Sequence, residues 1–123
     1  MDIWLIGAGS AGAIVAVTHL GLGGREIARP TLTGGQMASV VRYTNYFCWH
    51  LVSAALALMS AGFFYSALPQ RPAAPAAAAT LFAATATILC LWLIVRFRLN
   101  PTHHPQWILF LPVVILGCLG LWR

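Results

Sequence analysis

Ile3-Trp4-Leu5-Ile6-Gly7-Ala8-Gly9-Ser10-Ala11-Gly12-Ala13-Ile14-Val15-Ala16-Val17 admits two opposite readings, and the choice between them decides the fold. Gly7 to Gly12 fits G-x-G-x-x-G after a short apolar run, the fingerprint of a dinucleotide-binding turn between a strand and a helix. That fingerprint needs an acidic residue about 20 positions further on to hold a ribose. Glu26 is the one carboxylate downstream, and it stands between Arg25 and Arg29 in a basic turn. The segment instead stays apolar to residue 22, the length that about 30 Å of hydrocarbon requires of a helix. Gly7 and Ala11, Ala8 and Gly12, and Gly12 and Ala16 then stand one turn apart. They form a seam of small residues where another helix can approach closely without any hydrophobic drive from lipid.

The rest of the chain agrees with the membrane reading. Of 123 residues, 60% are hydrophobic and 7% charged, against roughly 25% charged in an ordinary soluble domain. Four apolar runs fall at about 3–22, 46–68, 76–97 and 106–122, which predicts an all-α, polytopic transmembrane four-helix bundle filling a single integral-membrane domain, 1–123. Short connections make neighbours antiparallel, so the expected topology is up-down. The first run has neither a basic leader nor a cleavage site and is expected to stay as a span. Gly23 and Gly24 are expected to end it, with a short amphipathic turn stopped at Pro30. The second helix can begin near residue 38 and protrude by two turns. The Pro/Ala stretch 69–75 forces a turn before the third span, and Pro112 is expected to bend the fourth. No room is left for a soluble catalytic domain, and the expectation is a protein that is not an enzyme.

The formal charge of +5 comes from seven arginines set against Asp2 and Glu26. The arginines stand at the ends of apolar runs and not on one face with stacking aromatics, which points to headgroups and not to nucleic acid. Arg25, Arg29, Arg42, Arg96 and Arg98 flank the first and third connections, whereas Arg71 and Arg123 stand alone on the other side. The positive-inside rule therefore puts both termini outside the cytoplasm. A chain without lysine but rich in Ala, Gly, Pro and Arg has the composition of a GC-rich bacterial genome, hence a bacterial inner membrane. Cys48, Cys90 and Cys118 are dispersed one per span and make no disulfide framework or C-x-x-C motif.

Four histidines carry the remaining chemistry. His19, His50, His103 and His104 all fall on the arginine-rich side, and Arg42, Tyr46, His50 and Ser53 make a polar stripe on the second helix beside Trp49. An imidazole at that depth needs a partner, so His19 and His50 are expected to point at each other or at backbone carbonyls. Three roles stay open for these groups: a hydrogen-bonded cluster that fixes helix register, ligands for a b-type haem or for a metal with His103 or His104, and a proton or solute pathway. Against the last stands the lack of any carboxylate inside a span. Glu26 and Arg29 can pair within the first connection, where Arg25 and Arg29 can also touch anionic lipid.

Thr18-His19-Leu20-Gly21 running into Gly24-Arg25-Glu26, Arg42 followed by Trp49-His50, and His104-Pro105-Gln106-Trp107 before the last span together resemble an uncharacterised family of small four-helix bacterial inner-membrane proteins. The resemblance covers most of the chain and implies the fold without a mechanism. The functional expectation is an accessory or assembly subunit of a larger membrane complex, or a homo-oligomer. A haem- or metal-ligating electron-transfer protein and a small channel or transporter are the alternatives.

Overall fold

Asp2 starts the first helix. Its carboxylate accepts hydrogen bonds from the backbone N–H of Trp4 at 2.8 Å and of Leu5 at 3.1 Å, satisfying two donors that a helix start leaves unpaired. Its own N–H donates to the Ala67 carbonyl at 3.0 Å, tying this end to the end of a later helix. In the computed structural model, which describes residues 1–122, four helical rods follow. Arg123, counted above with the outer charges, lies outside the described residues.

The first rod is α1 (Ile3–Thr18), a π-helical segment (His19–Ala28) and α2 (Arg29–Thr33), together 31 continuous residues. Then come α3 (Ser39–Ser66), α4 (Ala74–Phe97) and α5 (Gln106–Leu121). The first rod, α3 and α4 are long and apolar enough to cross a membrane, and α5 is a shorter apolar helix of 16 residues. α1 packs against α3 and α5, and α4 against α3 and α5, so the four helices close an up-down ring.

The first rod departs from expectation. Gly23 and Gly24 do not end the helix, and Pro30 does not stop it: the chain changes to i→i+5 bonding at His19, passes the glycines and resumes as α2. At the return to α2 the Arg29 N–H donates to the Gly24 carbonyl. Pro30 falls in the first turn of α2, where its missing N–H costs least. Gly34 then leaves helical geometry and closes the rod.

The core is built by fitting large side chains of one helix against small ones of the next. Leu5, Ala8 and Val15 of α1 meet Leu56, Met59 and Phe63 of α3, Ala76, Ala79 and Ala83 of α4 and Val113 of α5. The expected seam is divided between two neighbours. Ala8 is fully buried, Gly12 faces Met59 and Ser60 of α3, and Gly7 faces Leu116 of α5. Ala11 and Ala16 are half-buried at its margin. Gly9, one residue outside the expected set, takes the ring of Phe64.

The two turns that flank α4 are tied down by different devices. Ser66, near the end of α3, donates its hydroxyl to the Pro72 carbonyl at 2.9 Å and accepts the Ala76 N–H of the first turn of α4 at 3.1 Å. A side chain ten residues upstream thus does the work of an N-cap. At the other end of α4, Arg98 adopts a left-handed backbone, φ 52 and ψ 41, while the Leu99 N–H reaches back to the Ile94 carbonyl at 2.9 Å. Glycine takes that conformation without the penalty a Cβ incurs. Arg98→Gly is expected to raise unfolding stability by up to about 1 kcal/mol, the relief outweighing the lost charge at a helix C-terminus. A thermal midpoint above that of the parent chain is the expected reading, and a lower midpoint contradicts it.

Candidate functional site

Helix ends gather the functional side chains at one end of the bundle, where the π-helical segment, the start of α3, the end of α4 and the start of α5 come together. Arg25, Arg29, Arg42, Arg96 and Arg98 all belong to this basic end.

At its centre lies a stack. The imidazole of His19 lies flat against the indole of Trp49, with ring centroids 3.7 Å apart and planes 15° from parallel. His19 Nε2 stands 3.4 Å from the Trp49 carbonyl. Of the two partners expected for His19, it takes the backbone carbonyl. The indole edge reaches over Gly23, where an ideal Cβ would stand 2.5 Å from Cη2 of Trp49. The π-helical segment therefore begins at the residue that stacks on Trp49 and continues through the glycine that admits it. This links its wider turn to packing, since π-bonded turns occur where a helix must accommodate an insertion and often at functional positions. A cavity of about 300 Å³ adjoins the stack, lined in part by His19, Ala28, Thr31, Asn45, Tyr46 and Trp49.

His50 is placed differently. Successive side chains on an α-helix diverge by about 100°, so a Trp49 that faces the first rod turns His50 away from it. His50 is exposed and meets the ring of Tyr46 one turn back, edge to face, at 4.5 Å. Among the described residues no hydrogen bond or ring contact joins His19 to His50. The Arg42–Tyr46–His50–Ser53 stripe is also put to several uses. Arg42 donates to the carbonyls of Gly34 at 2.7 Å and Met37 at 3.3 Å, clamping the end of α2 to the start of α3. Ser53 donates to the Trp49 carbonyl at 3.0 Å, the same oxygen that His19 approaches.

His103 and His104 lie in the connection before α5. His103 is exposed, and His104 Nδ1 stands 3.2 Å from the Asn100 carbonyl. Arg25 and Glu26 are both exposed on the π-helical segment. A haem or a metal is one of the roles open to the four histidines. Among the described residues no three His, Cys, Asp or Glu side chains converge as a metal donor set. For a haem, one face of His19 is covered by indole and its Nε2 meets a carbonyl, while His50 is turned out. The donors present do not fit either group. What the arrangement does chemically is hold two helices in register through a ring stack, a carbonyl contact and an arginine clamp.

Gly23, expected only to end the first span, and Cys90 and Gln106, given no part in the polar cluster, also contribute at this end. Gly23 carries a signal, a glycine four residues after a histidine. Cys90 and Gln106 carry none, because 16 residues and a turn separate them before the Cys90 thiol approaches the Gln106 side-chain oxygen at 3.7 Å. Compared with family models, with curated proteins and with solved structures, the chain finds no match in any of the three.

Proposed function

We propose that this chain is an integral protein of a bacterial inner membrane that serves as an accessory or assembly subunit of a larger membrane complex, or as a homo-oligomer, and not as a catalyst. The observation that carries the reading is the outward direction of its large apolar side chains. Ile14 and Val17 on α1, Leu58 on α3 and Leu81 and Val95 on α4 are each more than 60% exposed. Water does not tolerate such a surface on a monomer, whereas lipid or a neighbouring helix covers it at no cost. The basic end, with five arginines against Arg71 at the other end among the described residues, fits a cytoplasmic face. Both termini then lie outside the cytoplasm.

Two features favour assembly over isolated action. The π-helical segment, α2 and the first turns of α3 pack on one another as a two-helix arm. On the far side of that arm, Val40, Tyr43 and Phe47 present an exposed row at helical spacing. Alkaline carbonate washing of membranes, followed by crosslinking before mild solubilisation, tests the proposal. Retention in the washed membrane and a crosslinked species larger than one chain are expected. Release by carbonate removes the membrane reading, and a retained chain that crosslinks to nothing removes the subunit reading.

A further inference from the structure

A lateral cleft of about 470 Å³ opens between α3, α4 and α5 near the basic end, within the range of about 300–1,000 Å³ that small-molecule sites occupy. Its mouth is apolar: Val52 of α3 and Phe82 and Leu89 of α4 line it, and all three are exposed on the outer surface of the bundle. Phe110 of α5 contributes an apolar wall further in. Cys90, His104 and Gln106 line its polar end.

The polar groups define what can bind. A carbonyl only accepts, so a hydrogen bond across the 3.2 Å between His104 Nδ1 and the Asn100 carbonyl needs the proton on Nδ1, and in that tautomer Nε2 is an acceptor. The Cys90 thiol donates toward the Gln106 side-chain oxygen at 3.7 Å and the His104 carbonyl at 3.8 Å. The amide nitrogen of Gln106 is thereby left to donate. An acceptor and a donor at the polar end of an apolar slot match a hydroxyl group, which both donates and accepts. A carboxylate would meet the lone pair of Nε2, and an ammonium group would find no carboxylate, since neither Asp nor Glu lines the cleft.

We propose that this cleft binds one neutral amphiphile, its hydroxyl between His104 and Gln106 and its apolar body running outward past Phe82 and Leu89. The route of entry rests on the membrane reading, because a mouth at the level of Val52 and Phe82 opens sideways into hydrocarbon. Two sources share the chemistry, an acyl lipid with a glycerol hydroxyl and an aromatic lipid with a phenolic one.

Cys90 provides the readout because it lines the polar end. The full chain in phosphatidylcholine nanodiscs is treated with N-ethylmaleimide, and alkylation is followed at each cysteine by peptide mass spectrometry, with exposed Cys48 and Cys118 as internal references. Added 1-monooleoylglycerol or decylubiquinol is expected to slow alkylation of Cys90 at least fivefold and saturably, leaving both references unchanged. Protection by one probe alone supports the site and identifies the source. Methyl oleate, which has no hydroxyl, is expected to protect about tenfold less well. Ala86→Phe is expected to fill the cleft and slow alkylation of Cys90 without any probe. Gln106→Leu, which disturbs packing less, is expected to raise the half-protecting probe fraction about tenfold. Equal protection by methyl oleate, or none by either hydroxyl probe in a chain that stays in the disc, overturns the site and leaves the membrane reading intact. A chain that does not enter the disc overturns both.

Discussion

Gly12→Leu is expected to push α1 away from α3 and to be among the most damaging single substitutions in the chain. An ideal Cβ at Gly12 already stands 2.8 Å from the Ser60 hydroxyl and 3.0 Å from Cε of Met59, and leucine adds three more carbons to that gap. Overpacking of this kind costs about 1–3 kcal/mol, and more where backbone must move. Leu22→Ala, at a position 58% exposed, is expected to change stability by less than about 0.5 kcal/mol. Thermal unfolding in detergent compares the two, and equal midpoints contradict the seam. Ser60 supplies an internal check. Its hydroxyl is buried without a hydrogen-bond partner among the described residues, so Ser60→Ala removes no bond and opens space. Gly12→Ala is accordingly expected to be better tolerated with Ser60→Ala than alone, a coupling that a double-mutant cycle measures.

Phe63→Ala is the second large effect. The ring is fully buried and fills the notch at Gly117, where an ideal Cβ would stand 3.1 Å from Cε1 of the ring. In a water-soluble core such a truncation costs about 3–5 kcal/mol, part transfer out of water and part the cavity left behind. For helices that separate into lipid the transfer part shrinks, because lipid tails are as apolar as the core. About 2–3 kcal/mol of lost packing is therefore expected, read as a lower unfolding midpoint in micelles. Phe47→Ala, an exposed phenylalanine on the same helix, is the control and is expected to leave the midpoint nearly unchanged. Equal losses at the two positions would mean that the bundle does not close around Phe63.

These two sites also mark what a linear reading can and cannot supply. Small residues one turn apart announce close packing wherever they occur, so Ala8 and Gly12 were legible. Which neighbour each one serves is a property of the closed ring, and Gly7 and Gly12 turn out to face different helices. The break expected at Gly23 and Gly24 follows from glycine's poor helix propensity, which holds for a helix by itself. Here the Trp49 indole occupies the space above Gly23, and tertiary contact carries the rod on to Thr33. His50 was singled out by type and depth, yet the neighbouring residue faces the first rod, because a one-residue step on a helix turns a side chain by about 100°. The cap that Ser66 gives α4 needs the Pro/Ala turn already folded, and spacing alone cannot reveal it.

We propose that the chain crosses a bilayer four times with its arginine-rich end in the cytoplasm. Reporters active only outside the cytoplasm, fused separately at residue 71 and at residue 100 in the bacterial host, test it most directly. Activity is expected at residue 71, in the turn before α4, and none at residue 100, in the connection before α5. Activity at residue 100 with silence at residue 71 would invert the basic end, and the same response at both positions would contradict a crossing by α4.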